Sequence, residues 1–234
     1  MMKEIQVFDA HCDTAILWYK NRIDFFNGKK GHATYKKLKK GNVKFQVFAI
    51  CLNSAAGEFD PLRDILQNIK FFTQRIDASR KVKLIRTKQD LIDVNKEKNL
   101  MGAILGIEGG DLIRGSFEIA EILYSLGVRV FTPVWNYRNS IGSGMWEEDS
   151  DKGLTRFGKK LIPFLQELGM IIDVSHAAKE TFNDILECSI KPVIASHSNA
   201  KKICSHPRNL TDKQLKMLNK NGSVIGVNFF PKFL

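Results

Sequence analysis

Short, near-continuous apolar runs alternate along this chain with longer stretches of helical period, and that alternation leaves few architectures open. The runs are IQVFDAH (5–11), VKFQVFAICL (43–52), GAILGIEG (102–109), VRVFTPV (128–134), MIIDVSH (170–176), PVIASHS (192–198) and SVIGVNFF (223–230). Runs that are apolar throughout suit strands covered on both faces, as in a parallel sheet. Between them, PLRDILQNIKFFTQRIDAS places Leu62, Ile65, Leu66, Ile69 and Phe72 at helical spacing. SFEIAEILYSLG and LTRFGKKLIPFLQELG close on Gly127 and Gly169, as helices often do before a strand. A further helix is expected from Ala178 to Cys188, and TDKQLKMLNKNG opens on Thr211 as an N-cap and closes on Gly222. The fold class expected is α/β, a TIM-like (β/α) barrel, for which 234 residues fall at the short end. Seven strands can be counted, and after SVIGVNFF only PKFL remains. Residues 1–234 therefore read as one barrel domain truncated at its C-terminus, lacking an eighth βα unit and leaving open strand edges.

Charge and composition narrow the partners. The net charge of +11 comes from 36 Lys and Arg against 25 Asp and Glu, a balance that raises nucleic acid as a partner. The one dense basic run is KKGHATYKKLKK (29–40), which holds His32, a single aromatic, Tyr35, and no phosphate-cradling loop. It reads as a solvated surface, so no nucleic-acid partner is expected. No apolar run approaches the roughly 20 residues needed to cross a bilayer. MMKEIQVFDAHCDT carries early charges and no small-residue cleavage site, so no signal peptide is read and a cytoplasmic setting is expected. Cys12, Cys51, Cys188 and Cys204 are scattered, like reduced thiols. Cys12 lies between His11 and Asp13, and strand alternation should turn it away from both.

The chemistry sits at the C-terminal ends of the strands, where barrel enzymes keep it. His11 and Asp13 share one face at i and i+2, Glu108 ends the third run in GIEGG, His176 ends the fifth and His197 the sixth. The three runs that end in Glu108, His176 and His197 are apolar until the final turn and then present an ionisable group. Imidazole and carboxylate suit zinc and similar divalent ions. Five ligands are too many for one catalytic zinc but suit two ions sharing a carboxylate, with Glu108 the natural bridge. Taken singly, a strand-end histidine is more often a hydrogen-bonded structural residue than a ligand; the convergence of five residues from four strands favours the metal. Asp173 could itself be a ligand, but reads better as a carboxylate orienting a metal-bound imidazole. Trp135, Asn136, Tyr137 and Asn139 form an aromatic and amide-rich loop that could line a substrate pocket, or simply pack. Arg208 could grip a carboxylate bidentately or serve in a surface ion pair. His206 reads as a loop residue, and Ser175 and Ser196 lack the setting of a nucleophile.

FDAHCDT, GIEGG, GLTRFGK (153–159), GMIIDVSH, PVIASHS and HPRNLTD, taken in order, resemble the signatures of the membrane or renal dipeptidases, bacterial branches included. The resemblance spans the chain from the first strand to the seventh. It implies a (β/α) barrel, two zinc ions (Zn2+) and hydrolysis of dipeptides by a metal-bridging hydroxide. It places His11, Asp13 and Glu108 on one zinc and Glu108, His176 and His197 on the other. It implies that Arg208 binds the substrate's terminal carboxylate, and since family members are often dimers it makes a homodimer a possible partner state. Two departures stand out. Trp135 occupies the position where some members carry a substrate-binding histidine, and the family's eighth strand, with its proton-handling aspartate, is not represented. Two rival readings follow: a metal-dependent amidohydrolase acting on another amide or a lactone, and a truncated metal-binding relative without turnover.

Overall fold

The computed structural model describes residues 5–51 and 61–234. Leu52, the last residue of the second expected strand, lies outside them. The chain divides into two compact units, residues 1–106 with 126–128, and residues 107–125 with 129–234.

The first unit runs β1 (Val7–Cys12), α1 (Thr14–Tyr19), α2 (Tyr35–Lys40), β2 (Val43–Cys51), α3 (Pro61–Asp77), β3 (Val82–Leu84), α4 (Lys88–Lys96) and β4 (Met101–Glu108), whose last two residues belong to the second unit. β1 pairs with β2 and β3 with β4, both parallel. β2 is buried from Lys44 to Ile50 and β4 along its whole length, which explains why neither alternates polar and apolar residues in sequence. α3 turns Ile65, Ile69, Phe72 and Ile76 inward, all 0–1% exposed. Phe72 meets Phe48 of β2 at 5.0 Å between ring centroids, and Phe48 meets Phe25 edge-on at 5.3 Å. Each such buried ring contributes roughly 1.5–3 kcal/mol relative to exposure.

The second unit continues with a 3-10 turn (Gly110–Ile113), α5 (Phe117–Ser125), β5 (Val128–Thr132), a second 3-10 segment (Met145–Ser150), α6 (Arg156–Leu168), β6 (Ile171–Ile172), α7 (Lys179–Cys188), β7 (Ile194–Ala195), α8 (Asp212–Asn221), β8 (Val224–Ile225) and a final 3-10 turn (Pro231–Phe233). β5 pairs with β6 and β7 with β8, again parallel. The helix ends follow the sequence. Thr211 forms a reciprocal capping box with Gln214, while Gly169 and Gly222 close α6 and α8 in the left-handed conformation.

Two expectations need correction. Eight strands are present among the described residues, not seven. The one missed, β3, is three residues long inside the charged stretch KVKLIRTKQD, too short to show a period, and it pairs beside β4 rather than following the seventh run. The last three ladders are also far shorter than their apolar runs, at two residues each. Beyond them regular pairing gives way to isolated backbone bonds, such as Val174 N to the Ile194 carbonyl, mixed with bonds to side chains: the amides of Ser175 and Ser196 both donate to Asp173 Oδ1, at 3.0 and 2.9 Å.

Candidate metal centre

In the second unit, β4 delivers Glu108 at its C-terminal end, 4% exposed. The glycines that follow have separate reasons to be glycine. Gly109 sits at φ +90, and a Cβ on Gly110 would lie 2.3 Å from Ile141 Cδ1 and 2.7 Å from the Pro133 carbonyl. That close packing lets the chain turn as their amides donate to the carbonyls of Thr132 and Pro133. His176 follows β6 with φ +71, an uncommon backbone state of the kind concentrated at functional sites. His197 follows β7.

These three side chains converge. His176 Nε2 lies 3.0 Å from Glu108 Oε1, His197 Nε2 lies 3.4 Å from the same oxygen, and the two Nε2 atoms are 3.0 Å apart. Their ligating atoms all fall within 4.8 Å of one another. The far nitrogens explain why Nε2 is the one presented. His176 Nδ1 is 3.0 Å from Asn136 Oδ1; an amide oxygen only accepts, so Nδ1 carries the proton. Ser196 Oγ donates to Asp173 Oδ2 at 2.6 Å and therefore accepts from His197 Nδ1 at 2.7 Å. Burial lowers the pKa of His176, against the raising effect of its Glu108 contact, so the ring is held neutral. Two nitrogen lone pairs and a carboxylate oxygen brought this close repel one another, and a shared divalent cation is what such a donor set fits.

Asp173 is the hub behind these side chains. It is 1% exposed and accepts from Thr132 Oγ1 at 2.9 Å, from the Ser196 hydroxyl, and from the amides of Ser175 and Ser196. Ser175 Oγ in turn accepts from the His197 amide at 3.2 Å. The carboxylate thus orients the His197 ring through Ser196. Neither Asn136 nor Ser196 could be given this role from the sequence; both lie in stretches already suspected, but Asn136 reaches its histidine across forty residues.

Arg208 is 6% exposed, and burial brings its pKa down to about 10, with Glu108 and Asp173 acting in the opposite sense. It stays charged. Its guanidinium donates to the His197 carbonyl at 3.4 Å and lies 5.7 Å from the Phe233 ring centre. Its own amide donates to His206 Nδ1 at 3.1 Å, so His206 is a loop residue. Trp135 lies beside His176, with 6.1 Å between ring centroids. The Asn139 amide is engaged within its own loop: its oxygen accepts from the amides of Ile141 and Gly142, and its nitrogen donates to the Pro133 carbonyl at 2.9 Å.

In the first unit, β1 ends with His11 Nε2 3.5 Å from Asp13 Oδ1. Burial pushes the thiol of Cys12 between them up to about 12. A neutral thiol is neither a good nucleophile nor a metal ligand.

Comparison with known proteins decides what this centre belongs to. The family model described as membrane dipeptidase (peptidase family M19) matches residues 1–234. The chain belongs to the membrane dipeptidase family. An uncharacterized dipeptidase of Schizosaccharomyces pombe is 31% identical over 99% of this chain, and dipeptidase 3 of Rattus norvegicus is 28% identical over 97%. The chain spans 61% and 48% of the lengths of those two relatives. Among solved structures, a metallo peptidase from Rhodobacter sphaeroides liganded with a phosphinate mimic of the dipeptide L-Ala-D-Ala superposes with a TM-score of 0.90. It is 26% identical, and the match covers 99% of this chain and 76% of that one. That likeness bears out the α/β, TIM-like fold class of the family.

Proposed function

We propose that this chain is a zinc-dependent dipeptidase in which His11, Asp13, Glu108, His176 and His197 hold two zinc ions, with Glu108 contributing to both. The observation that carries the proposal is the convergence of the Glu108 carboxylate with two imidazole nitrogens. Family membership supports it, as does the solved relative bound to a dipeptide mimic. Other divalent ions suited to imidazole and carboxylate would fit the same donors. Such ions, when bound, acidify water and polarise a carbonyl, the chemistry that peptide hydrolysis needs.

The chain's own residues supply the positioning. Asn136 and Ser196 hold the two rings with Nε2 presented. Arg208, buried and charged, takes the substrate's terminal carboxylate in its planar fork. Trp135 walls the space beside His176, and Asn139 braces the loop that carries Trp135 and Asn136. Among the described residues no helix is long and apolar enough to cross a membrane. A cytoplasmic setting and a homodimer complete the proposal; four scattered cysteines with no C-x-x-C pair suit a reducing compartment, and sedimentation reads the oligomeric state.

The test is hydrolysis of a simple dipeptide before chelation, after it, and after zinc is restored. Chelator-sensitive turnover that zinc rescues is expected. Zinc bound without turnover would reduce the chain to a metal-binding relative. Preferential turnover of a lactone or another amide would place it with amidohydrolases of a different substrate class.

A further inference from the structure

Beside His176 the second unit holds a cavity of about 90 Å³ bounded by Met145, Arg208, Lys201 and Lys213. One water needs roughly 10–15 Å³ on this measure, so the space takes a group of several heavy atoms and not a large ring system. No aspartate or glutamate lines it. Arg208 is buried, and among the described residues its guanidinium makes one hydrogen bond, at 3.4 Å, to the neutral His197 carbonyl. Lys179, also on the wall, is paired with Glu180 at 3.1 Å. Among the described residues, Lys201 and Lys213 have no carboxylate within ion-pair distance. The cavity wall therefore carries three cations and no carboxylate, with Glu108 and Asp173 acting on Arg208, and Glu180 on Lys213, from outside the lining; a concave wall of one sign concentrates its field more than an open surface does.

One substrate carboxylate, taken by Arg208, accounts for one of these charges. We propose that Lys201 and Lys213 receive a second carboxylate, so that the preferred substrates are dipeptides with an aspartate or glutamate side chain. This rests on the dipeptidase reading and adds the substrate class to it. A neutral isostere of the same shape would leave the two ammonium groups facing an amide, losing charge-assisted hydrogen bonds.

Gly-Glu and Gly-Gln differ only in that charge, and are compared on the zinc-loaded chain by kcat/KM where they are turned over and by calorimetric Kd where they are not. Gly-Glu is expected to be favoured at least ten-fold at low salt, by a margin that shrinks as salt is raised. In the Lys201→Met, Lys213→Met double variant the ratio is expected to fall to within about two-fold of unity, with Gly-Gln unaffected. Equal handling of the two dipeptides by the parent chain, or a preference that survives in the double variant, would overturn the proposal and leave the dipeptidase reading standing. Failure of a folded, zinc-loaded chain to bind either dipeptide would overturn both.

Discussion

Replacing Asp173 by asparagine should weaken zinc binding without unfolding the protein, although Asp173 is not proposed as a ligand. Its Oδ1 accepts from two backbone amides and its Oδ2 from the Thr132 and Ser196 hydroxyls. An asparagine keeps its oxygen on the amides and turns its NH2 toward the hydroxyls. Ser196 Oγ then receives a hydrogen bond instead of giving one, and its own proton points at His197 Nδ1, 2.7 Å away. The ring proton must move to Nε2, the nitrogen that faces Glu108. Losses of this kind behind a metal ligand cost about 10- to 100-fold in affinity, or about 1.4–2.7 kcal/mol. Asp173→Ala is a different perturbation. It strands two buried amides at about 1–3 kcal/mol each, so a stability loss of roughly 2–6 kcal/mol is expected. Competition for zinc against a chromophoric chelator reads the affinity, the 15N shifts of the His197 ring read the proton's position, and urea denaturation reads the stability. An Asp173→Asn protein that binds zinc within two-fold of the parent, with the ring proton still on Nδ1, would refute the reasoning.

Arg208→Lys keeps the charge but loses the planar fork, so KM for dipeptides should rise about ten-fold or more with kcat less affected. Gly110→Ala forces a methyl against Ile141 and the Pro133 carbonyl, and a loss of about 1–3 kcal/mol is expected in denaturant titrations. At Asp90, desolvation raises the pKa, but Lys83, Thr87 and the amides of Arg86 and Thr87 together hold it down, from 3.8 to about 2. A carboxylate depressed on folding stabilises the native state above its unfolded pKa, and that contribution fades as pH falls from about 4 toward 2. At 1.36 kcal/mol per pH unit it amounts to roughly 2 kcal/mol. The stability difference between the parent and Asp90→Asn should close across that window, and a difference unchanged at pH 2 would contradict the assignment.

The proposed metal ligands on the later runs were legible because each is an ionisable group closing a largely apolar run, an arrangement that burial alone would disfavour. Glu108, His176 and His197 stood out for that reason, and Thr211, Gly169 and Gly222 because capping is local chemistry. The hydrogen bonds that set the ring protons were not legible. Asn136 meets His176, and Asp173 meets Ser196, only through long-range packing, and nothing near either residue in sequence signals its partner. The short ladders of β6, β7 and β8 escaped for a related reason: an apolar run marks a buried strand, but where pairing stops depends on side chains from elsewhere competing for the backbone. Asp173 lies between these cases. A carboxylate inside IIDVSH marks it as a residue with a partner, and the fold supplies that partner as the Ser196 hydroxyl.

The most direct test of the two-zinc centre is the zinc content per chain of the purified protein and of its Glu108→Gln variant, measured by mass spectrometry after exhaustive dialysis. Two zinc ions in the parent are expected, with both lost when the shared carboxylate becomes an amide and the variant remains folded. A parent chain that retains no metal, or a variant that still carries two ions, would contradict the centre as assigned.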